Sequence, residues 1–207
     1  MTVRGKFFLD KSDPGSWRAL NKLSRRVASA AQEAGISRAV VELLNVRVSQ
    51  LNGCAYCLEL HTRYAVDAGV GPQKLSVLPV WRETALFSEL ERAALAIGEA
   101  TTSLPEETTR VRELTDAREH LDDAQYSALQ WAAVTINAFN RISILSRHPI
   151  RPRRAPDERT EDPATEVPTT EVPTTEVPAT GSPPPEAPAT GSPTAGAPAP
   201  STAGGRA

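Results

Sequence analysis

Fourteen of the eighteen prolines in this chain lie after residue 148, and that asymmetry divides what the sequence can fold into. A proline inside a helix removes a backbone donor and clashes with the preceding turn, at a cost of about 3 kcal/mol or more. Residues 1–148 contain only Pro14, Pro72, Pro79 and Pro105, together with nearly all the large apolar side chains. Long helices are therefore open to this part and closed to the rest. It is long enough to bury one ordinary hydrophobic core, so a single domain is expected over residues 1–148. Residues 149–207 hold no aromatic residue. They cannot bury enough apolar surface to offset the entropy of ordering, and a disordered proline-rich tail is predicted there. Within it Thr-Glu-Val-Pro occurs from Thr165, Thr170 and Thr175, and Pro-Ala-Thr-Gly-Ser-Pro from Pro178 and Pro188. Such repeats make an extended, partly polyproline chain, suited to a spacer or docking arm or simply to a solvating tail.

Apolar spacing in the first part is helical nearly throughout. Ser16 is a candidate N-cap for Trp17, Leu20, Leu23, Val27 and Ala31, with Gly35 as the stop. Ser37 can cap a second helix, with Ile36 and Val41 placed as a hydrophobic staple. That helix runs to Asn52-Gly53, although Val46-Arg47-Val48 alternates as a strand would. A third is expected from about Cys54 to Gly69. Pro72 opens a short helix that Pro79 stops. Ser88-Glu89-Leu90-Glu91 and Asp122 to Gln125 have capping-box spacing, opening helices to about Ala100 and Arg147, with a weakly periodic helix between them from Thr108 to His120. The face Tyr126, Leu129, Ala133, Ile136 and Phe139 should pack in the core or on another subunit. The fold class is all-α, with six to seven helices.

A net charge of −2 and a pI near 6.0 leave no electrostatic footprint for nucleic acid or an anionic membrane. Arg147, Arg151, Arg153 and Arg154 form a short basic cluster facing the acidic stretch Asp157 to Asp162, a solvated junction. No apolar stretch of signal-peptide type follows Met1, and no window reaches the length of a membrane span. A cytoplasmic location is expected, where two thiols stay mostly reduced.

Those two thiols, Cys54 and Cys57, are the whole cysteine supply. On a helix, positions three apart have Cα atoms roughly 5–6 Å from each other, within the range a disulfide needs. Cys57 and His61 are four apart, so all three project from one face, and the backward lean of helical side chains tips His61 toward Cys57. A thiol with pKa about 8.5 is only a few per cent thiolate at neutral pH. Lowering it to about 7 needs roughly 2 kcal/mol, of which a helix N-terminus supplies about 0.3–1 kcal/mol. His61 is the matched proton acceptor for the remainder. Glu42, on the preceding helix, can orient that imidazole if the helices fold back at Asn52-Gly53. Tyr56 and Tyr64 read as packing groups, and His120 and His148 as solvent-facing near helix ends. Cys54, Cys57, His61 and Glu42 could also be offered to zinc, but a structural site draws on two separated pairs and no second pair exists.

Glu42, Cys54-Ala55-Tyr56-Cys57 and His61, in the run Leu51 to His61, resemble the core of the alkylhydroperoxidase D-like (AhpD-like), carboxymuconolactone decarboxylase superfamily. The likeness extends through Gly69, Val80 to Thr84, Phe87 to Leu95 and Ile136 to Arg141, covering about residues 15–147. It implies an all-helical homo-oligomer with thiol peroxidase or disulfide-reductase activity and no dissociable organic cofactor. Carried over, Cys57 is the buried sulfur that attacks a hydroperoxide and Cys54 the more accessible one that resolves it. Glu42 and His61 are the proton relay, and a dithiol, on a lipoylated or small redox protein, is the reductant. Tyr56 stands where well-characterised members have histidine; a phenol cannot replace that base but can donate a hydrogen bond to a thiolate. Asn137, Asn140 and Arg141 on the long helix fit a buried hydrogen-bond network better than a pocket mouth. Trp81 and Arg82 read as architectural. Two other functions stay open: a lyase of the decarboxylase type, and a non-catalytic assembly module with a partner-recruiting tail.

Overall fold

The computed structural model describes residues 5–152. The disordered tail expected beyond, with its repeats, lies outside the described residues. The elements are α1 (Leu9–Ser12), α2 (Pro14–Glu33), α3 (Arg38–Asn52), α4 (Ala55–Asp67), α5 (Pro72–Val77), a 3₁₀ turn (Leu78–Glu83), α6 (Glu89–Ser103), α7 (Glu107–Arg118) and α8 (Asp123–Ser146). Among the described residues there is no strand, and the class is all-α. Eight helices replace the six to seven expected, since the four-residue α1 is too short for any periodicity to register. No described helix is long and apolar enough to cross a membrane.

Helix α3 is the central element, packed against α4, α6 and α8. That position explains the strand-like alternation of Val46-Arg47-Val48. A helix surrounded on several sides buries residues around most of its circumference, so its apolar positions need not form one stripe. Val46 and Val48 are both buried, and Arg47 between them donates to Glu99 Oε1 at 2.6 Å. Helix α6 crosses α3 closely at Gly98, where a Cβ would meet Leu44 Cγ and Val48 Cγ2 at 3.3 Å each. The carboxylate of Glu99 also accepts from Trp81 Nε1 at 3.0 Å and pairs with Arg82. The Arg82 guanidinium lies over the Trp81 ring at 4.1 Å. Both residues thus tie the 3₁₀ turn to α6 and are part of the frame.

Helix starts follow their caps. Both capping boxes form, Ser88 with Glu91 and Asp122 with Gln125. The Ser37 hydroxyl accepts from the Val40 N–H as expected. Helix α2 starts earlier than Ser16. Asp13 is its N-cap, accepting from the Gly15 N–H at 2.9 Å and the Ser16 hydroxyl at 2.6 Å, with Pro14 at the first helical position. A carboxylate cap ahead of a proline, whose missing donor is no loss there, outcompetes the serine. In α8, Leu129, Ala133 and Ile136 are buried, with Tyr126 and Phe139 packed beside them, so that face belongs to the core. Its far end is held by the N-terminal segment, where the Leu9 N–H donates to Ser146 Oγ at 2.9 Å.

Candidate thiol site

The site begins with a reversal of the chain. Gly53 has φ +65°, the left-handed conformation in which a side chain is penalised, and the Gly53 and Cys54 N–H groups close the end of α3 onto Gln50 O and Ser49 O. Helix α4 therefore runs back along α3. Glu42 and His61, each two to three turns from the reversal, face one another, and His61 Nδ1 lies 2.7 Å from Glu42 Oε2. Glu42 is buried and also meets Asn45 Nδ2 at 3.3 Å and Arg38 Nε at 3.7 Å. The carboxylate holds the imidazole with its Nδ1–H toward Glu42, leaving Nε2 free to exchange a proton.

Cys54 is the N-cap of α4, with extended backbone, instead of a residue of the helix. Its Sγ accepts from the Cys57 N–H at 3.3 Å, which draws it over the first turn. Both cysteines are free thiols, exposed to 2 % and 3 % respectively, so residue exposure does not make Cys54 the more accessible one as the resemblance implied. The difference is that Cys54 lines a cleft of about 220 Å³ together with Tyr56, Ser143, Arg147 and His148.

The two sulfurs ionise very differently. Cys57 is lowered to about 6, first by a hydrogen bond from Cys54, opposed by burial, then by hydrogen bonds from Ser143 and Asn140 and the charge of His61. Cys54 is pushed up, because its proton is held against the Cys57 anion and because it is buried. This revises the sequence reading of how the thiol becomes acidic. The ring of His61 turns to Glu42, and its charge is the weakest of the influences named, whereas hydrogen bonds donated to the anion in a buried site dominate.

Asn140 and Ser143 both come from α8. Asn140 Oδ1 accepts from Asn52 Nδ2 at 2.8 Å and its Nδ2 donates to Ser49 Oγ at 3.2 Å. Asn137 Oδ1 accepts from Asn52 at 2.9 Å and from Arg141 at 2.7 Å. The three residues thus form the interhelical network anticipated, and Asn140 also reaches Cys57. Ser143 was not singled out from the sequence. The available signal was its place three residues after Asn140, on the same inward face of an otherwise apolar helix.

His148 departs most from expectation. Instead of facing solvent, its imidazole stacks on Phe8 at 5.7 Å and meets Tyr56 edge-on at 5.2 Å. The ring stacking is possible because the end of α8 closes tightly. Arg147 adopts φ +50°, and the His148 N–H bonds to Ser143 O at 3.1 Å, curling the chain back beside Ser143. His120 is the solvent-facing histidine, 3.6 Å from Glu89. Among the described residues no group of three or more His, Cys, Asp and Glu is arranged to hold a metal ion.

Residues 16–100 match the model of the carboxymuconolactone decarboxylase family. The uncharacterized protein YdfG of Bacillus subtilis is 36 % identical over 123 residues, 59 % of this chain and 84 % of that protein. A solved protein of unknown function from Agrobacterium tumefaciens, named as a candidate antioxidant defence protein AhpD, superposes with a TM-score of 0.62 at 28 % identity. It covers 72 % of this chain and all of that one.

Proposed function

The chain belongs to the carboxymuconolactone decarboxylase family, and from that premise we propose that it is a thiol peroxidase and disulfide oxidoreductase cycling through Cys54 and Cys57. One observation carries the reading: a buried Cys57 held at about 6 by a donating Cys54, beside a Glu42–His61 pair. At pH 7 such a thiol is about nine-tenths ionised, against a few per cent for an ordinary one.

Cys57 thiolate attacks the distal oxygen of a hydroperoxide. The O–O bond breaks, the alkoxide takes a proton from the His61 side and leaves as alcohol, and Cys57 becomes sulfenic acid. The Cys54 thiol then condenses with it: the S–S bond forms, the S–O bond breaks and water leaves. An external dithiol reduces the pair by exchange and is itself oxidised to a disulfide. Each turn thus converts one hydroperoxide and one dithiol into alcohol, water and one disulfide. Glu42 stabilises the imidazolium whenever His61 holds the proton. A lipoylated or small redox protein is the reductant in this reading, and a cytoplasmic location suits a site that must be re-reduced at each turn.

Homo-oligomer formation is part of the same proposal. Trp131, Val134 and Leu145 of α8 present exposed apolar side chains on the face opposite the core. The deciding experiment is hydroperoxide consumption with dihydrolipoamide as donor. Wild type should turn over and Cys57→Ser should not; turnover that survives loss of both thiols overturns the proposal in favour of a thiol-independent lyase.

A further inference from the structure

Cys54 poses a problem that the Glu42–His61 pair does not solve. Its proton must leave when the disulfide closes and return when the disulfide is reduced, yet this is the sulfur whose ionisation the site opposes. His61 is turned to Glu42 on the Cys57 side. Three other residues lead away from Cys54 in a line. Ser143 lines the same cleft, and its hydroxyl favours the anionic form of either sulfur. Its hydroxyl lies 3.3 Å from His148 Nδ1, and His148 Nε2 lies 3.1 Å from Asp10 Oδ1. His148 and Asp10 are both largely covered, with 14 % of each side chain exposed.

We propose that Asp10, His148 and Ser143 form a second proton relay, serving Cys54 as Glu42 and His61 serve Cys57. The inference rests on the proposed dithiol cycle and adds a part to it. With Nε2–H donated to the Asp10 carboxylate, Nδ1 is the free acceptor. A serine hydroxyl has one proton and two lone pairs; once Cys57 is oxidised and no longer draws the Cys54 and Ser143 protons, Ser143 accepts from the Cys54 S–H while donating to Nδ1. As Cys54 attacks, its proton passes to the Ser143 oxygen and the Ser143 proton to Nδ1; Asp10 stabilises the resulting imidazolium. The proton then leaves His148 to balance the hydroxide that departs from Cys57 as water; when a dithiol later releases Cys54 as thiolate, one of the dithiol's two protons returns along the same path. A nucleophilic role for Ser143 does not fit, because its backbone lies inside α8, where the neighbouring N–H groups are engaged in the helix and cannot stabilise an oxyanion.

The surroundings suit a group that alternates in charge. The imidazole sits just past the C-terminus of a 24-residue helix, where a cation is favoured. The charged and titratable groups around it are Asp10 on α1, Tyr56 and Cys54 at the start of α4, and Arg147 beside it; Lys11 sits over the Phe8 ring on which it stacks. Phe8 and Tyr56 pack against the ring and favour the orientation that meets Ser143.

The test uses the reduced full-length chain and methyl methanethiosulfonate, a small reagent that makes the two steps separable by intact mass. Cys57 thiolate takes the methylthio group and releases methanesulfinate. The Cys54 thiol then displaces methanethiol, closing the disulfide and giving up one proton. In His148→Gln and Asp10→Asn, loading of Cys57 should stay within about twofold while closure slows at least tenfold. The mixed disulfide should accumulate, and the pH profile of closure should lose one inflection. His148→Phe keeps the stacked ring without a transferable proton and should behave as His148→Gln does. Closure at the wild-type rate and pH profile in these variants overturns the relay. So does equal slowing of both steps, the mark of a merely structural role. Hydroperoxide consumption is scored separately: a wild type that closes its disulfide but consumes no hydroperoxide loses the peroxidase reading and keeps the relay.

Discussion

Replacing Cys54 with alanine should strip Cys57 of much of its acidity, and the size of the effect follows from the site. Cys57 sits at about 6, with the hydrogen bond from Cys54 as the largest cause, while Ser143, Asn140 and His61 survive the substitution. A hydrogen bond to a charged acceptor contributes about 1.5–3 kcal/mol, which corresponds to roughly one to two pKa units. The midpoint of Cys54→Ala is therefore expected between about pH 7 and 8, and its thiolate fraction at pH 7 between about 50 % and 10 %. A single alkylation rate at pH 7 would miss this. A weaker acid is a better nucleophile, with a Brønsted slope of about 0.4–0.5, so the rate at that pH changes by less than about twofold in either direction. The informative assay is ultraviolet thiolate absorbance across pH on reduced protein, with far-ultraviolet circular dichroism as the check on folding. Wild type should show one thiolate per chain ionising near pH 6 and none further in the neutral range. Cys54→Ser retains a hydroxyl donor and should keep its midpoint within about half a unit of wild type. If Cys54→Ala still titrates where wild type does, Cys54 is not what holds the anion, and the account of the site is wrong.

The thiol pair also predicts how stability depends on pH. The folded value of Cys57 is depressed, so its contribution is complete above the unfolded thiol value of about 8.5 and is lost as pH falls through about 6. The folded value of Cys54 is raised, so its contribution is present below that same unfolded value and declines above it. Relative to Cys54→Ala/Cys57→Ala, reduced wild type should gain up to about 1.4 kcal/mol per pH unit between those limits and pass a maximum near pH 8.5. Denaturant titrations that show a flat difference would contradict this. Glu42→Gln should lower peroxidase turnover at least tenfold while moving the Cys57 midpoint by less than half a unit, since the charge of His61 comes last among the named causes of its acidity; unchanged turnover in a steady-state assay would remove Glu42 from the proton path. Gly98→Ala gains roughly 1 kcal/mol in helix propensity but presses on Leu44 and Val48, both fully buried. With overpacking at about 1–3 kcal/mol, a net loss of about 1 kcal/mol is expected, and a rise in thermal midpoint would show that the α3–α6 contact is looser than described.

Most helix starts were legible in the sequence from a cap or a proline, with Ser16, displaced by Asp13 and Pro14, as the exception. Ser37, Ser88, Asp122 and Pro72 each open the element their chemistry suggests, because those signals act on neighbouring backbone alone. The same locality brought Glu42 to His61: Asn52-Gly53 is a reversal signal, and distance along two antiparallel helices does the rest. What could not be read were pairings made across the fold. The partners of Cys57 on α8 lie more than eighty residues away, and nothing in the spacing of Asn140 and Ser143 says which way α8 faces. Arg47 illustrates the converse. Its alternation with Val46 and Val48 suggested a strand only because the sequence does not tell how many neighbours a helix will have. His148 was misplaced for a similar reason: its contacts come from Phe8 and Asp10, and no local pattern links the two.

The bond from Leu9 to Ser146 and the meeting of Asp10 with His148, 138 residues apart, set practical terms for anyone handling this protein. A fragment cut to the segment shared with the family, residues 16–100, would keep both thiols and lose Asp10, His148 and all of α8. Under the proposed relay, a purification tag joined close to Phe8, or proteolytic trimming of the first dozen residues, would act at a distance on the thiol pair while leaving the CxxC sequence untouched. Thiol reactivity measured on such material would describe a different site.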